Sequence, residues 1–162
     1  MSRAKFIALP PAIAAPAGHD RMSIPSDSAF VARATAANLL EIEEGKLAQR
    51  RTADAVLKSF ASMMVEDHGK AQQELQAAAV AGKVEVGAPR LDKQDQAMLD
   101  NLAAQSGTAF DLVYMADQVS AHARTVSLLL DYLQNGRNAA LKSWADKTLP
   151  VILHHRDLIG GM

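Results

Sequence analysis

Four long stretches of this chain place small and aliphatic residues at helical spacing, and no stretch alternates with the period of a strand. Apolar positions that recur every three to four residues line one face of a helix and scatter over both faces of a strand. That periodicity confines the chain to all-α folds. Composition points the same way. Hydrophobic residues make up 49% of the 162 residues but aromatics only 4%. Alanine and leucine, which suit helices, carry much of the apolar content.

The punctuation divides the pattern into helices over about 26–50, 52–81, 93–104, 108–133 and 138–158. Ser26 is expected to cap the first, Thr52 the second and Asp92 the short third. Thr108 with Asp111 resembles a capping box for the fourth. Gly82 ends the second helix, 83–90 is a connector with Gly87 and Pro89, and Asn135-Gly136 turns the chain before the last helix. The expected buried stripes are Phe30, Ala34, Ala37, Leu40, Glu41, Glu44, Leu47 and Ala48, then Leu57, Ala61, Met64, His68, Ala71 and Leu75. They continue with Leu112, Met115, Val119, His122, Val126 and Leu129, and end with Leu141, Ala145, Thr148, Ile152 and His155. Four long amphipathic helices joined partly by tight turns predict a ferritin-like antiparallel four-helix bundle, with an additional short helix between the second and third long ones. Pro150 lies inside the last helix and frees the carbonyl of Asp146, which predicts a kink.

Residues 1–25 read differently from the rest. Arg3 and Lys5 precede an apolar run from Phe6 to Ala15, followed by Ala17, in the order of a secretory signal peptide. Pro10 and Pro11 inside that run also fit a disordered Pro/Ala-rich tail. The expectation is an exported, periplasmic protein with a helical domain over 26–162. No apolar run reaches the length of a membrane span.

Charge and cysteine content exclude several function classes. Net charge is −1, so no basic excess favours nucleic acid. With no cysteines, disulfides, thiolate metal sites, iron–sulfur clusters and cysteine nucleophiles are ruled out. No Walker loop, dinucleotide fingerprint or nucleophile elbow is present.

The histidines carry the chemistry that is left. His68, His122 and His155 fall on the apolar faces of three different long helices, and Glu41 on the inner face of the first. Counted from the turns at about 1.5 Å per residue, the three histidines share a level within ~9 Å. Facing helices of a bundle commonly build metal sites in this way, and neutral imidazole suits zinc or copper. The expected site is His68, His122, His155 and Glu41 around one divalent ion; Lys58, Glu66, Asp67, Lys70 and Glu74 read as a solvated face of the second helix, with Asp67 alternatively orienting a histidine from behind. A di-iron centre is not expected, because that chemistry uses Glu-x-x-His on two helices and the chain has none. Met64 and Met115 are read as core filler, Trp144 as boundary packing, His154 as outward-facing and His19 as part of the leader.

Several short motifs also resemble a known family. They are Glu41-Ile42-Glu43-Glu44-Gly45-Lys46-Leu47-Ala48, Phe60-Ala61 through Met64-Val65-Glu66-Asp67-His68, Phe110-Asp111 with Tyr114 and His122, and Thr148-Leu149-Pro150 with His155. In this order, over about 26–159, they resemble the bacterial family DUF4142, whose members are often labelled exported or putative outer-membrane proteins. The resemblance implies a ferritin-like bundle and export, and no biochemical activity. No catalytic constellation is readable, so the expectation is a non-catalytic metal-binding module in envelope or stress physiology. The alternatives are an atypical metal-dependent enzyme and a metal-free interaction module. A homo-oligomer or an envelope protein is the expected partner.

Overall fold

The computed structural model describes residues 26–162, so the leader and His19 lie outside the described residues. The described chain is all-α, with five helices and no strand: α1 (Asp27–Arg51), α2 (Ala55–Ala81), α3 (Lys93–Ala103), α4 (Gly107–Asn135) and α5 (Ala139–Gly160). The four long helices contact one another in a closed cycle, α1 on α2, α2 on α5, α5 on α4 and α4 on α1, while α3 packs across α1 and α4. None is long and apolar enough to cross a membrane.

The caps explain most helix boundaries, with two corrections. Ser26 accepts from the Ala29 amide at 3.2 Å and Asp92 from the Asp95 amide at 2.8 Å, as the sequence implies. Thr52 does not cap α2. It closes α1, and Asp54 caps α2 instead, accepting from the amides of Val56 and Leu57 at 2.7 and 3.0 Å. A carboxylate two residues further on fits the helix start better, and the Thr52 hydroxyl steadies it by accepting from the Asp54 amide at 3.1 Å. The Thr108–Asp111 box also fails to form. α4 begins one residue earlier, at Gly107, whose φ of 57° is open to glycine alone without strain. At the other end Asn138 caps α5, and its Nδ2 donates to the Gly82 carbonyl at 2.9 Å, tying the end of α2 to the start of α5.

The interior is built in three levels. One apolar cluster joins Phe30, Leu75, Leu129, Tyr132, Leu141, Trp144 and Ile152, with the Phe30 and Tyr132 rings stacked at 3.7 Å. A second joins Ala48, Leu57, Phe60, Met64, Leu102, Phe110, Tyr114 and Ile159. Between them in sequence, on all four long helices, lie buried polar side chains: Asn38, Glu41, Glu44, His68, Gln72, Gln118, His122 and His155, with Thr148 one turn before Ile152 on α5. Met64 and Met115 belong with the second apolar cluster, consistent with core filling. Trp144 is buried rather than peripheral, because its Nε1 can donate to the Ala71 carbonyl at 3.1 Å and so enter the core without an unmet donor. Pro150 sits inside α5.

The stripe on α4 corrects the sequence reading. Leu112 and Val119 are 63% and 47% exposed. The expected His122, Val126 and Leu129 are buried, and Phe110, Tyr114, Gln118, Ala121 and Thr125 complete the inner face in place of Leu112 and Val119. A polar layer displaced the hydrophobic pattern there: Gln118 and Tyr114 turn inward to meet the carboxylates of α1, and the aliphatic residues turn outward.

Candidate metal centre

α2, α4 and α5 each contribute one histidine to the middle layer, and all three are buried. Their ring centroids lie 5.4 to 5.6 Å apart, so three helices deliver the rings to one level as the residue count predicts. One nitrogen from each ring lies within 4.8 Å of the other two.

Each ring is held through one of its nitrogens. The Nδ1 of His122 donates to the Gln118 carbonyl at 2.8 Å, and the Nε2 of His155 donates to the Asp67 carboxylate at 2.9 Å. The Nδ1 of His68 meets the Asn38 Oδ1 at 3.0 Å. Asn38 uses its amide nitrogen to donate to Gln72 at 3.2 Å, and Gln72 donates onward to Thr35 at 3.3 Å. That chain leaves the Asn38 oxygen as acceptor and His68 as donor. All three partners therefore take the proton-bearing nitrogen. The remaining nitrogens, Nε2 of His68, Nε2 of His122 and Nδ1 of His155, are buried and have no hydrogen-bond partner.

Burial lowers the pKa of all three rings. His122 is pushed down to about 4 by desolvation, against its bond to the Gln118 carbonyl. His68 is held well below its ordinary value by desolvation and by the neighbouring histidines. His155 is lowered by desolvation, opposed by its bond to Asp67. At neutral pH the layer thus holds three neutral imidazoles with lone pairs and no proton to share among them.

Glu41 comes to this layer from the other side of His122. Its Oε1 lies 3.4 Å from the Nδ1 of His122, the nitrogen that serves the Gln118 carbonyl. The convergent group consists of the three histidines without Glu41. Asp67 orients His155, the role its position beside His68 suggested for some histidine, and His154 is exposed. Asn38, Gln72 and Gln118 were missed, because buried amides leave no mark in a hydrophobic pattern. Their spacing on the inner faces of α1, α2 and α4 was the available signal.

A cleft of about 270 Å³ between α2 and α5 reaches the layer from solvent, lined by Asp67, His68, Lys70, Lys147, Thr148 and His155 among others.

The fold and this layer define the class: an all-α protein whose buried interior carries a histidine cluster compatible with a metal ion. The chain belongs to the family described as "Domain of unknown function (DUF4142)", whose model matches residues 11–161. No curated protein and no solved structure matches it.

Proposed function

We propose that this protein is a non-catalytic metal-binding module, in which His68, His122 and His155 hold one zinc or copper ion inside a ferritin-like antiparallel four-helix bundle. The observation that carries the reading is the set of three buried, unpartnered ring nitrogens whose opposite nitrogens are all occupied by acceptors. Leaving buried polar groups unmet costs stability, and three acceptors cannot satisfy one another. A cation satisfies all three at once. The backing of each ring by a carbonyl, an amide oxygen and a carboxylate is the usual support for metal-ligating histidine, since it fixes the tautomer and raises basicity.

The fit is one of ligand type and near approach. Metal–nitrogen bonds of about 2.0–2.1 Å in a tetrahedral site place the nitrogens roughly 3.3 Å from each other, so binding draws the rings together from within 4.8 Å. Three protein nitrogens leave the fourth position to a ligand arriving through the cleft at His155 and His68. Glu41 is not assigned to this ion, because its carboxylate lies beside the Nδ1 of His122, the nitrogen that serves the Gln118 carbonyl. The closed contact cycle of the four long helices supports the bundle, and the basic-then-apolar order of residues 3–15 supports export to the periplasm.

The test is stoichiometry with linkage. The full chain, stripped of metal, should take up one equivalent of Zn2+ or Cu2+ and melt at a higher temperature when it does. His122→Ala should bind neither ion and show no rise. Uptake that persists unchanged in His122→Ala, or no uptake by the native chain, overturns the assignment.

A further inference from the structure

The same layer contains a second group of unmet atoms, on the opposite side of His122 and made of oxygen alone. Glu41 and Glu44 stand one helical turn apart on the inner face of α1, 1% and 0% exposed. Both oxygens of Glu41 and the Oε1 of Glu44 are buried without a hydrogen-bond partner. Facing them on α4 are Tyr114 and Gln118, both fully buried. Gln118 is fixed among the carboxylates by donating its Nε2 to the Glu44 Oε2 at 3.1 Å, while its Oε1 has no partner. The Tyr114 hydroxyl is also unmet. It feels the charge of both glutamates, which adds to burial in raising its pKa. Asp117, half-buried on the same helix, has an unmet Oδ2 and lies against Glu44, connecting the group to the surface.

Chemistry separates this group from the histidines. Two carboxylates, an amide oxygen and a phenol oxygen are hard donors, and oxygen-only sets suit Mg2+, Ca2+ or Mn2+ rather than zinc or copper. Among the described residues no cationic side chain forms an ion pair with them. Arg124 acts on Glu41 only through space, since its guanidinium is committed to Asp95 at 2.8 Å. Two buried acids left in this state are driven toward their neutral forms, with Glu41 raised to about 8 and Glu44 to about 9, mainly by desolvation.

We propose that Glu41, Glu44, Gln118 and Tyr114 form a second site for a hard divalent cation, separate from the histidine nitrogens and entered past Asp117. The protein then has two cation sites of contrasting donor type, back to back across the His122 ring. The second does not require the first to be filled.

Mn2+ is the probe, because binding removes the six-line resonance of the free ion. The full chain is first given one equivalent of Zn2+ to fill the histidines, then titrated with Mn2+. One further equivalent should bind. Glu44→Gln keeps the shape and should weaken Mn2+ at least tenfold while leaving zinc uptake unchanged. If the histidines take no zinc, the titration is run on His68→Ala/His155→Ala, where Mn2+ should still bind, so failure of the histidine site is read apart from failure of this one. Absence of Mn2+ binding overturns the proposal and identifies the carboxyls as holding protons only. Equal affinity in Glu44→Gln, or loss of Mn2+ in the histidine variant, overturns it as well. Should Glu44→Gln not fold, Tyr114→Phe replaces it: weaker Mn2+ binding supports the site and unchanged binding rejects it.

Discussion

The apolar ends of this helical domain and its polar middle obey different rules. At the ends, around Phe30, Tyr132 and Trp144 and around Phe60, Leu102 and Phe110, side chains are buried because water is expelled from them, and the buried donors find acceptors except the Tyr114 hydroxyl, which borders the polar layer. Tyr132 donates to Asp27, and Trp144 to the Ala71 carbonyl. In the middle, His68, His122, His155, Glu41, Glu44 and Gln118 are equally buried, yet each keeps an atom without a partner. Burial is thus common to both regions and satisfaction is not. Unmet atoms in a native interior cost stability, so a layer of them points to something bound there rather than to folding.

The comparison breaks first on mutation. Phe30→Ala removes a stacked ring at 0% exposure and should cost about 3–5 kcal/mol in chemical denaturation of the metal-free chain. His122→Leu, equally buried, replaces an unmet polar ring by an apolar side chain and should cost far less, under about 1.5 kcal/mol, while ending zinc uptake. If His122→Leu destabilises the apo protein as much as Phe30→Ala, the middle layer is part of the folding core and the contrast fails.

A second break uses pH. The lowered histidines and the raised glutamates act in opposite directions. Between about 4 and 6.5 an unfolded His122 carries a proton that the folded one lacks, so its stabilising share is complete above 6.5 and is lost as pH falls toward 4. For Glu41 and Glu44 the folded chain keeps protons that the unfolded chain releases near 4.5, so their share is complete below 4.5 and is lost as pH rises toward 8 and 9. Above about pH 6.5, where His122 is neutral in both states, only the glutamates act, so metal-free protein should lose stability toward pH 9. Glu44→Gln, which has nothing to titrate, should flatten the alkaline side by about half. Urea midpoints measured from pH 5 to 9 show it. A flat alkaline limb in the native chain would mean that the carboxylates already have partners.

How much of this was legible in the sequence follows the same division. The stripe of the last helix was read correctly, because Leu141, Ala145, Thr148, Ile152 and His155 keep strict helical spacing and all are buried; only Trp144 beside it was misplaced at the boundary. The histidine level was legible too, since rise per residue from a turn is fixed by helix geometry. The phase of α4 was not: Leu112 and Val119 looked like its core and are exposed, because Gln118 and Tyr114 are turned inward by the carboxylates of α1. No local signal in α4 encodes what α1 presents to it. Spacing puts Asn38 and Gln72 on inner faces, but their pairing through to Thr35 was not legible: each member is ordinary alone, and only the packing of α1 on α2 joins them. Glu41 was placed on the correct face, but its carboxylate lies beside the Nδ1 of His122 and not in the convergent histidine group, a distinction of side-chain orientation that spacing does not carry.

The finest test concerns Asp67, which stands where the two regimes meet solvent. Its carboxylate is about a third exposed (36%), so as a stabilising contact to His155 it is worth little in water. As the acceptor that fixes the His155 tautomer it does more, since it keeps the proton on Nε2 and the lone pair of Nδ1 free for the ion. These roles separate cleanly. Asp67→Asn preserves an acceptor oxygen but removes the charge that makes the ring a better donor to the metal. Asp67→Ala removes the acceptor as well and frees the ring to choose its tautomer. The apo melting temperature should hardly change in either variant. Zinc affinity should fall about tenfold in the first and by up to about a hundredfold in the second. A merely structural Asp67 would reverse that pattern, lowering the apo melting temperature and leaving the affinity of the folded fraction intact. The ranking Asp > Asn > Ala in metal affinity, at constant apo stability, is what ties the exposed edge of the layer to the nitrogens at its centre.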